Sequence, residues 1–292
     1  MKIAVIADVH SNSHGLNAIL EDIFIEKPDI VIGAGDMVGC SAYPGAQAVW
    51  VTLRDHQVQS VLGNEEERIL DFHGPAPRPD FTGSIQFMPL QYRARQFSVA
   101  DIEIMKSLPI NILLSGPQGQ DVLVCHASPR DLYRSPMEGI DAQMEGELKQ
   151  ISAEVIVVGH LHLQWHQDWQ GKLLIMAGSG GLPLRGKLDE VDYLILTFHQ
   201  HAWQFRYKAV KYDYRAAVCA SLESNFLEQA GPIGWLMFDE ILTQEDHLMP
   251  FFRDYCPKNK PDDLENWKRL VSGYLISINR WEAVRQYIRH LL

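Results

Sequence analysis

The chain has 292 residues, 46% of them apolar and 22% charged, enough hydrophobe to bury a core and too much for a disordered polymer. Its formal net charge of −11 repels polyanions and weighs against a nucleic-acid polymer as partner, since such binding needs Lys and Arg to displace counterions. Cys40, Cys125, Cys219 and Cys256 are scattered without a CxxC pair and read as small buried hydrophobes in a reducing compartment.

Taken in chain order, strand-length apolar runs occur at residues 2–7, 29–34, 59–62, 121–125, 154–158, 172–177, 193–198 and 202–207. The early ones are continuous Ile/Val/Leu runs, as expected for strands buried on both faces. Between the first two, Leu16, Ile19, Leu20, Ile23 and Phe24 form a stripe at helical spacing, with Asn12 or Ser13 as cap and Pro28 beyond the end. Residues 46–54, 99–108 and 140–151 carry further helical patterns, and the Pro-rich stretch 74–83 reads as a surface loop. The last two strands are expected to pair antiparallel through a turn at Gln200-His201.

From about residue 215 no strand pattern remains, and helical stripes alternate with Pro and Gly breaks. The expected organisation is an α/β domain over residues 1–214 and a helical C-terminal appendage over 215–292. The apolar run before Asp8 is too short for a signal sequence, and no stretch approaches the ~20 apolar residues that span a bilayer. The expectation is a cytoplasmic protein without membrane attachment.

Several strand ends carry a metal-ligand type. The first is followed by Asp8 and His10, the second by Gly35-Asp36, the third by Gly63-Asn64; the fourth runs into His126 and the fifth into Gly159-His160-Leu161-His162. In an α/β sheet the carboxyl ends of parallel strands line one crevice, so these side chains would converge. Carboxylate, amide and imidazole donors without thiolate suit Mn²⁺, with Fe or Zn²⁺ as alternatives. Two such ions ~3.5–4 Å apart can hold a water and a phosphoryl oxygen together, and Asp36, in the middle of the set, is the natural bridge. Bound dications would reverse the local field, so the acidic chain can still take a small phosphorylated substrate.

Each piece alone has a plainer reading. Asp8 and His10 could belong to the cap of the following helix, Gly35-Asp36 to a turn, and His126 to a satisfied core histidine. Asn64 with Glu67 three residues on reads as a capping box, while Glu66 and Glu67 suit a positive helix N-terminus. All five pieces in order, each at a strand end, outweigh those readings.

Together Asp8-Val9-His10, Gly35-Asp36, Gly63-Asn64-Glu65-Glu66, His126 and Gly159-His160-Leu161-His162 resemble the calcineurin-like metallophosphoesterase superfamily, and more closely its small bacterial phosphodiesterase branch. The resemblance covers roughly residues 1–215 and implies a four-layer α/β/β/α sandwich. It implies a first metal on Asp8, His10, Asp36 and His162 and a second on Asp36, Asn64, His126 and His160, with a bridging hydroxide as nucleophile. Asp36, Asn64 and His126 are thereby the expected catalytic residues. Many members carry His after the Gly-Asn pair, where it can protonate the leaving oxygen; Glu65 stands there, and a carboxyl beside two dications should have a lowered pKa and donate poorly. A phosphodiester or nucleotide-type phosphoanhydride is therefore expected over a simple monoester. A protein serine/threonine phosphatase and a catalytically weak metal-binding scaffold for a protein partner are the alternatives. The segment Ala177-Gly178-Ser179-Gly180-Gly181-Leu182-Pro183 resembles the family's Gly-Ser loop and divides evenly between phosphate contact and loop turning. The tail aromatics leave a lid, a homo-oligomer contact and internal packing open.

Overall fold

The computed structural model describes residues 1–185 and 187–292. In chain order its strands are β1 (Lys2–Ile6), β2 (Ile30–Gly33), β3 (Gln59–Ser60), β4 (Asn111–Leu114) and β5 (Val122–Cys125). They continue with β6 (Val155–Val158), β7 (Gln164–Trp169), β8 (Lys172–Ala177), β9 (Glu190–His199) and β10 (Ala202–Lys211). One five-stranded sheet has the order β10-β9-β1-β2-β3 and the other β4-β5-β6-β8-β7. β1, β2 and β3 run parallel, as do β5, β6 and β8, so the carboxyl ends of each trio share one edge of the molecule.

Strand periodicity decides the layering. Ile3 and Val5 of β1 pack with Val122, Val124, Val157 and Ile175 of the second sheet, while Ala4 and Ile6 point the other way onto helices. Leu123 and Cys125 of β5 alternate out of the inter-sheet core, against Met144 and Leu148. These belong to α7, the seventh of the helices α1 (Ser13–Glu26), α2 (Ala46–Asp55), α3 (Asn64–Phe72), α4 (Pro79–Gly83), α5 (Met88–Ala94), α6 (Val99–Lys106) and α7 (Ala142–Gln150). The result is the four-layer α/β/β/α sandwich.

α1 begins where expected: the Asn12 side chain accepts from Gly15 N–H, and Leu16, Ile19 and Ile23 are buried. Phe24 is not part of that face; at 80% exposure it lies one helical step off the stripe. Gln200 and His201 form the β9–β10 turn with φ of 47° and 69°, the left-handed pair a tight hairpin needs. Two strands lacked a sequence signal. β7 reads Gln-Trp-His-Gln-Asp-Trp, too polar to announce itself, and is a strand because the Gln170-Gly171 turn folds it onto β8. β4 is a short, half-exposed edge strand defined by antiparallel pairing with β5. The stretch 74–83 is not all loop, since Pro79 starts the short α4 at the position where proline costs no hydrogen bond.

After β10 the chain is helical: α8 (Tyr214–Glu223), α9 (Phe226–Gln229), α10 (Gly231–Thr243), α11 (Leu248–Pro250), α12 (Leu264–Ser277) and α13 (Trp281–Ile288). α10 is buried at every residue from Gly231 to Ile241, which its nearly unbroken apolar sequence requires. It lies against α5, α9 and α12. Trp235, Phe238 and Trp267 thereby join the same core as Leu16, Val49 and Leu90. Most tail aromatics serve this packing, though Tyr255 is 40% exposed. His247 is buried against the carboxylate of Asp239, which also takes Arg280. Among the described residues no helix is long and apolar enough to cross a membrane. The cysteines are free; Cys125 is buried, whereas Cys219 is exposed rather than a core residue.

An ion cluster ties α1 to β1 and β10. Glu26 accepts from Lys2 Nζ at 2.6 Å, Lys208 Nζ at 2.8 Å and Arg206 Nη2 at 2.9 Å. Bonds from Lys2 and then Lys208 hold its carboxyl down to about 2 from its ordinary 4.5. A depressed folded pKa stabilises above the unfolded value and is lost as pH falls through the folded one. Glu26→Gln is therefore expected to cost about 1–2 kcal/mol at neutral pH. The gap from the unmodified chain should close between pH 4.5 and about 2. Thermal midpoints measured against pH check this.

Candidate metal centre

The loops leaving β1 and β2 are laced together before any side chain is considered. Asp8 N–H donates to Gly35 C=O, His10 N–H to Asp36 C=O and Ser11 N–H to Met37 C=O, at 3.1, 3.0 and 3.1 Å. This forces Asp8, His10 and Asp36 into the left-handed region at φ 52°, 46° and 52°, and His160 and His162 follow at 79° and 60°. Such conformations cost non-glycine residues about 1–3 kcal/mol each and gather where surrounding structure over-determines a site.

The structure brings all seven expected side chains into one pocket. His10 and His162 face each other with Nε2 atoms 2.8 Å apart. Asp8 Oδ1 lies 4.0 Å from His10 Nε2 and 3.9 Å from His162 Nε2. Asp36 Oδ2 stands between the two halves, 3.7 Å from His10 Nε2 and 3.4 Å from His126 Nε2. Asn64 Oδ1 is 3.0 Å from both His126 Nε2 and His160 Nδ1. Asp8, His10 and His162 form one group able to hold a metal ion, and Asp8, Asp36 and His126 another.

Three observations test whether cations fit. The spacings of 2.8 Å between His10 and His162 and 3.0 Å from Asn64 to His126 and His160 match the edge of an octahedron with ~2.1 Å metal bonds. His126 Nδ1 faces Ala34 C=O at 2.9 Å and His162 Nδ1 faces Leu182 C=O at 2.8 Å; donating there leaves each Nε2 lone pair aimed inward. Burial, with the neighbouring His162, pushes His10 well below its usual range, and burial takes His162 down to about 4, so both rings are neutral as ligands must be. The carboxylates carry the opposite strain. Burial, offset in part by His126, raises Asp8; for Asp36 burial is outweighed by His126 and His10, which hold it low. Burial disfavours the charged form of His126, yet Asp36 and Asp8 overcome it and raise the ring to about 10, a proton occupying the place of cationic charge. The set suits divalent cations. Among the described residues, His10 Nδ1 is buried without a partner.

The glycines of the motifs are close-approach positions. A Cβ on Gly63 would meet Asp36 Oδ1 at 2.1 Å, and one on Gly159 would meet Asp8 Oδ2 at 2.7 Å.

The cap of α3 differs from the expected one by a residue. Gly63, not Asn64, is the N-cap, and Glu66, not Glu67, reaches back to it at 3.0 Å. The shift frees the Asn64 side chain from capping and lets its oxygen face the pocket. Glu66 does serve the helix start, but its carboxylate also accepts from Asp36 N–H at 2.9 Å and Val38 N–H at 3.0 Å. One side chain thus clamps the Gly-Asp and Gly-Asn loops together, a role that spacing along the chain could not reveal. Glu67 accepts from the Tyr133 hydroxyl at 2.7 Å.

Glu65 is buried and accepts from Asn64 Nδ2 at 3.0 Å and from Arg68 Nη1, while its N–H donates to Asp36 Oδ1 at 2.9 Å. Burial raises its carboxyl, against the pull of Arg68, so the simple expectation of a lowered pKa does not describe the chain's own contribution. The Gly-Ser loop turns rather than presents donors. Gly178 N–H and Gly180 N–H go to Leu163 and Ala7 carbonyls, and the N–H groups of Gly181 and Leu182 go to Ser179 Oγ. Ser179 Oγ itself donates to Asp8 C=O at 2.6 Å, so the loop props the first ligand.

Two mixed sheets with an Asp/His/Asn cluster at their parallel-strand ends define a metallophosphoesterase. Residues 1–201 match the calcineurin-like phosphoesterase superfamily domain, and the chain belongs to that family of hydrolases. It is 27% identical over 234 residues to the uncharacterized protein MJ0912 of Methanocaldococcus jannaschii, an alignment covering 74% of this chain and 89% of that one. The fold is similar to a metallophosphoesterase from Sphaerobacter thermophilus at TM-score 0.61 and 20% identity, covering 84% of this chain and 100% of the other. It is also similar to the hypothetical protein PH1004 from Pyrococcus horikoshii OT3 at TM-score 0.66 and 15% identity, covering 84% and 99%.

Proposed function

We propose that the chain hydrolyses small phosphodiesters or nucleotide-type phosphoanhydrides with two divalent cations, Mn²⁺ before Fe or Zn²⁺. Asp8, His10, Asp36 and His162 are assigned to one ion, and Asp36, Asn64, His126 and His160 to the other. The meeting of Asn64 Oδ1, His126 Nε2 and His160 Nδ1 carries the reading, because donors from three distant segments approach at 3.0 Å with no structural need to do so. When bound, the ions supply an activated water and neutralise charge on phosphoryl oxygens. The chain contributes orientation: Asp36 faces both halves, the backbone carbonyls behind His126 and His162 set their tautomers, and Glu66 fixes the two loops. Four free cysteines support a reducing, cytoplasmic setting.

Glu65 follows Asn64 in place of an imidazole, and although burial raises its carboxyl, Oε1 is held by Asn64 Nδ2 and Arg68 Nη1 and is not offered to a leaving oxygen. Departure of the leaving group then depends on its own stability as an anion. Across aryl esters of graded leaving-group pKa, kcat/KM is expected to fall steeply, and alkyl monoesters should turn over at least ~10²-fold more slowly. A flat series removes the argument. Metal analysis of the purified protein with a chromogenic diester in Mn²⁺ tests the whole reading; tightly held metal without turnover of any ester replaces it with a scaffold role.

A further inference from the structure

Beside the metal centre, between α3, α5 and the C-terminal helices, lies a cavity of ≈ 200 Å³. Its apolar side is built by Phe87, Leu90, Ile233, Met237 and Phe252, three of them from beyond residue 230. The polar side is Glu65, Arg68, Gln86 and Arg93. Glu65 is the common wall, since its N–H bonds Asp36 Oδ1 and its carboxylate bonds the Asn64 amide. The cavity therefore starts one side chain away from two of the donors that face the proposed ions.

Arg93 is the unexplained group. It is only 2% exposed, yet among the described residues Nη2 alone finds a protein acceptor, the Ser41 carbonyl, and no carboxylate lies within ion-pair distance. Glu65 does not serve it, being held by Arg68 and Asn64. A guanidinium carries five N–H donors; among the described residues Nε and Nη1 take no protein acceptor and are not sealed from solvent, so they are free to meet acceptors on a ligand in the cavity. The remaining donors belong to a residue that lines a chamber with one apolar and one polar wall. A cavity of about 150 Å³ suffices for one benzene ring, so this one admits a single ring and is small for a fused pair.

We infer that this cavity is the subsite for a single-ring substituent with carbonyl acceptors on its edge, such as a pyrimidine base, carried by the phosphoester, with the ring between the apolar residues and its acceptors on Arg93. The inference rests on the phosphoesterase reading and gives the C-terminal helices a part in substrate choice. A pyrimidine nucleoside offers the required order of groups: phosphoryl at the metals, a sugar across Glu65, a flat acceptor-edged ring beyond.

The test keeps the leaving group constant. Thymidine 5′-(p-nitrophenyl phosphate), its adenosine counterpart and methyl p-nitrophenyl phosphate are compared by release of p-nitrophenolate. The thymidine ester is expected to lead both others in kcat/KM by about tenfold. Met237→Trp, which fills the chamber, and Arg93→Met, which removes the donors, should each lower the thymidine-to-methyl ratio about tenfold. Calorimetry on the unmodified metal-loaded protein supplies a readout independent of turnover and of variant folding: thymidine 5′-monophosphate should bind at least tenfold tighter than methyl phosphate or adenosine 5′-monophosphate. Equal ratios in all variants, or equal affinities, overturn the subsite while leaving the esterase reading intact. Failure to cleave any of the esters, the methyl one included, overturns both.

Discussion

Asp36→Asn is expected to lower kcat/KM on an aryl diester by more than ~10³-fold and to reduce bound metal from about two equivalents to one or fewer. The reason is the position of Asp36 Oδ2, 3.7 Å from His10 Nε2 and 3.4 Å from His126 Nε2, which faces both histidine groups. The amide keeps the shape and removes the charge that lets His126 sit in a buried site. Asp36 Oδ1 also accepts Glu65 N–H, and an oxygen retained there keeps α3 in place, so the folded structure should survive. Circular dichroism, metal analysis and steady-state rates together check the result. Full metal content with ordinary turnover would falsify the assignment of Asp36 as the shared ligand.

Glu66→Ala should have the larger structural effect. The carboxylate is 1% exposed and satisfies three backbone N–H groups, those of Asp36, Val38 and Gly63. Each donor orphaned in a buried site costs about 1–3 kcal/mol, and water entering the gap recovers part, so a net loss of about 3–5 kcal/mol is expected. Because those N–H groups belong to the loops that carry Asp36 and Asn64, metal affinity should fall together with stability. Glu67→Ala is the control; among the described residues its carboxylate takes only the Tyr133 hydroxyl, and the change should cost under about 1 kcal/mol. Denaturant unfolding with and without Mn²⁺ reads both quantities. Equal, small losses in the two variants would show that the clamp does not hold the loops.

The contrast between neighbouring glutamates shows where reading along the chain stops. Composition and spacing identify a Glu-rich first helical turn, but each of Glu65, Glu66 and Glu67 satisfies the helix N-terminus equally well in one dimension. Only the approach of the Gly-Asp loop, thirty positions earlier for Asp36 relative to Glu66, separates a clamp from a cap. Arg93 lacked any signal for the same reason: an arginine in an amphipathic helix is ordinarily solvated, and its burial depends on helices more than a hundred residues downstream. The strands β4 and β7 were likewise invisible because a neighbour, not their own alternation, makes them strands.

What the sequence determined by itself was local and strong. Apolar strand runs ending in Asp8, Asp36, Asn64, His126 and His160 placed the donors at strand termini, because strand length and hydrophobic continuity are properties of adjacent residues. The tertiary structure alone decided which donors meet, that Gly63 rather than Asn64 caps α3, that the Gly-Ser loop props Asp8, and that the C-terminal helices close a chamber beside Glu65. Those outcomes turn on hydrogen bonds and van der Waals contacts between segments far apart in the chain, whose energies exist only once the two sheets have packed.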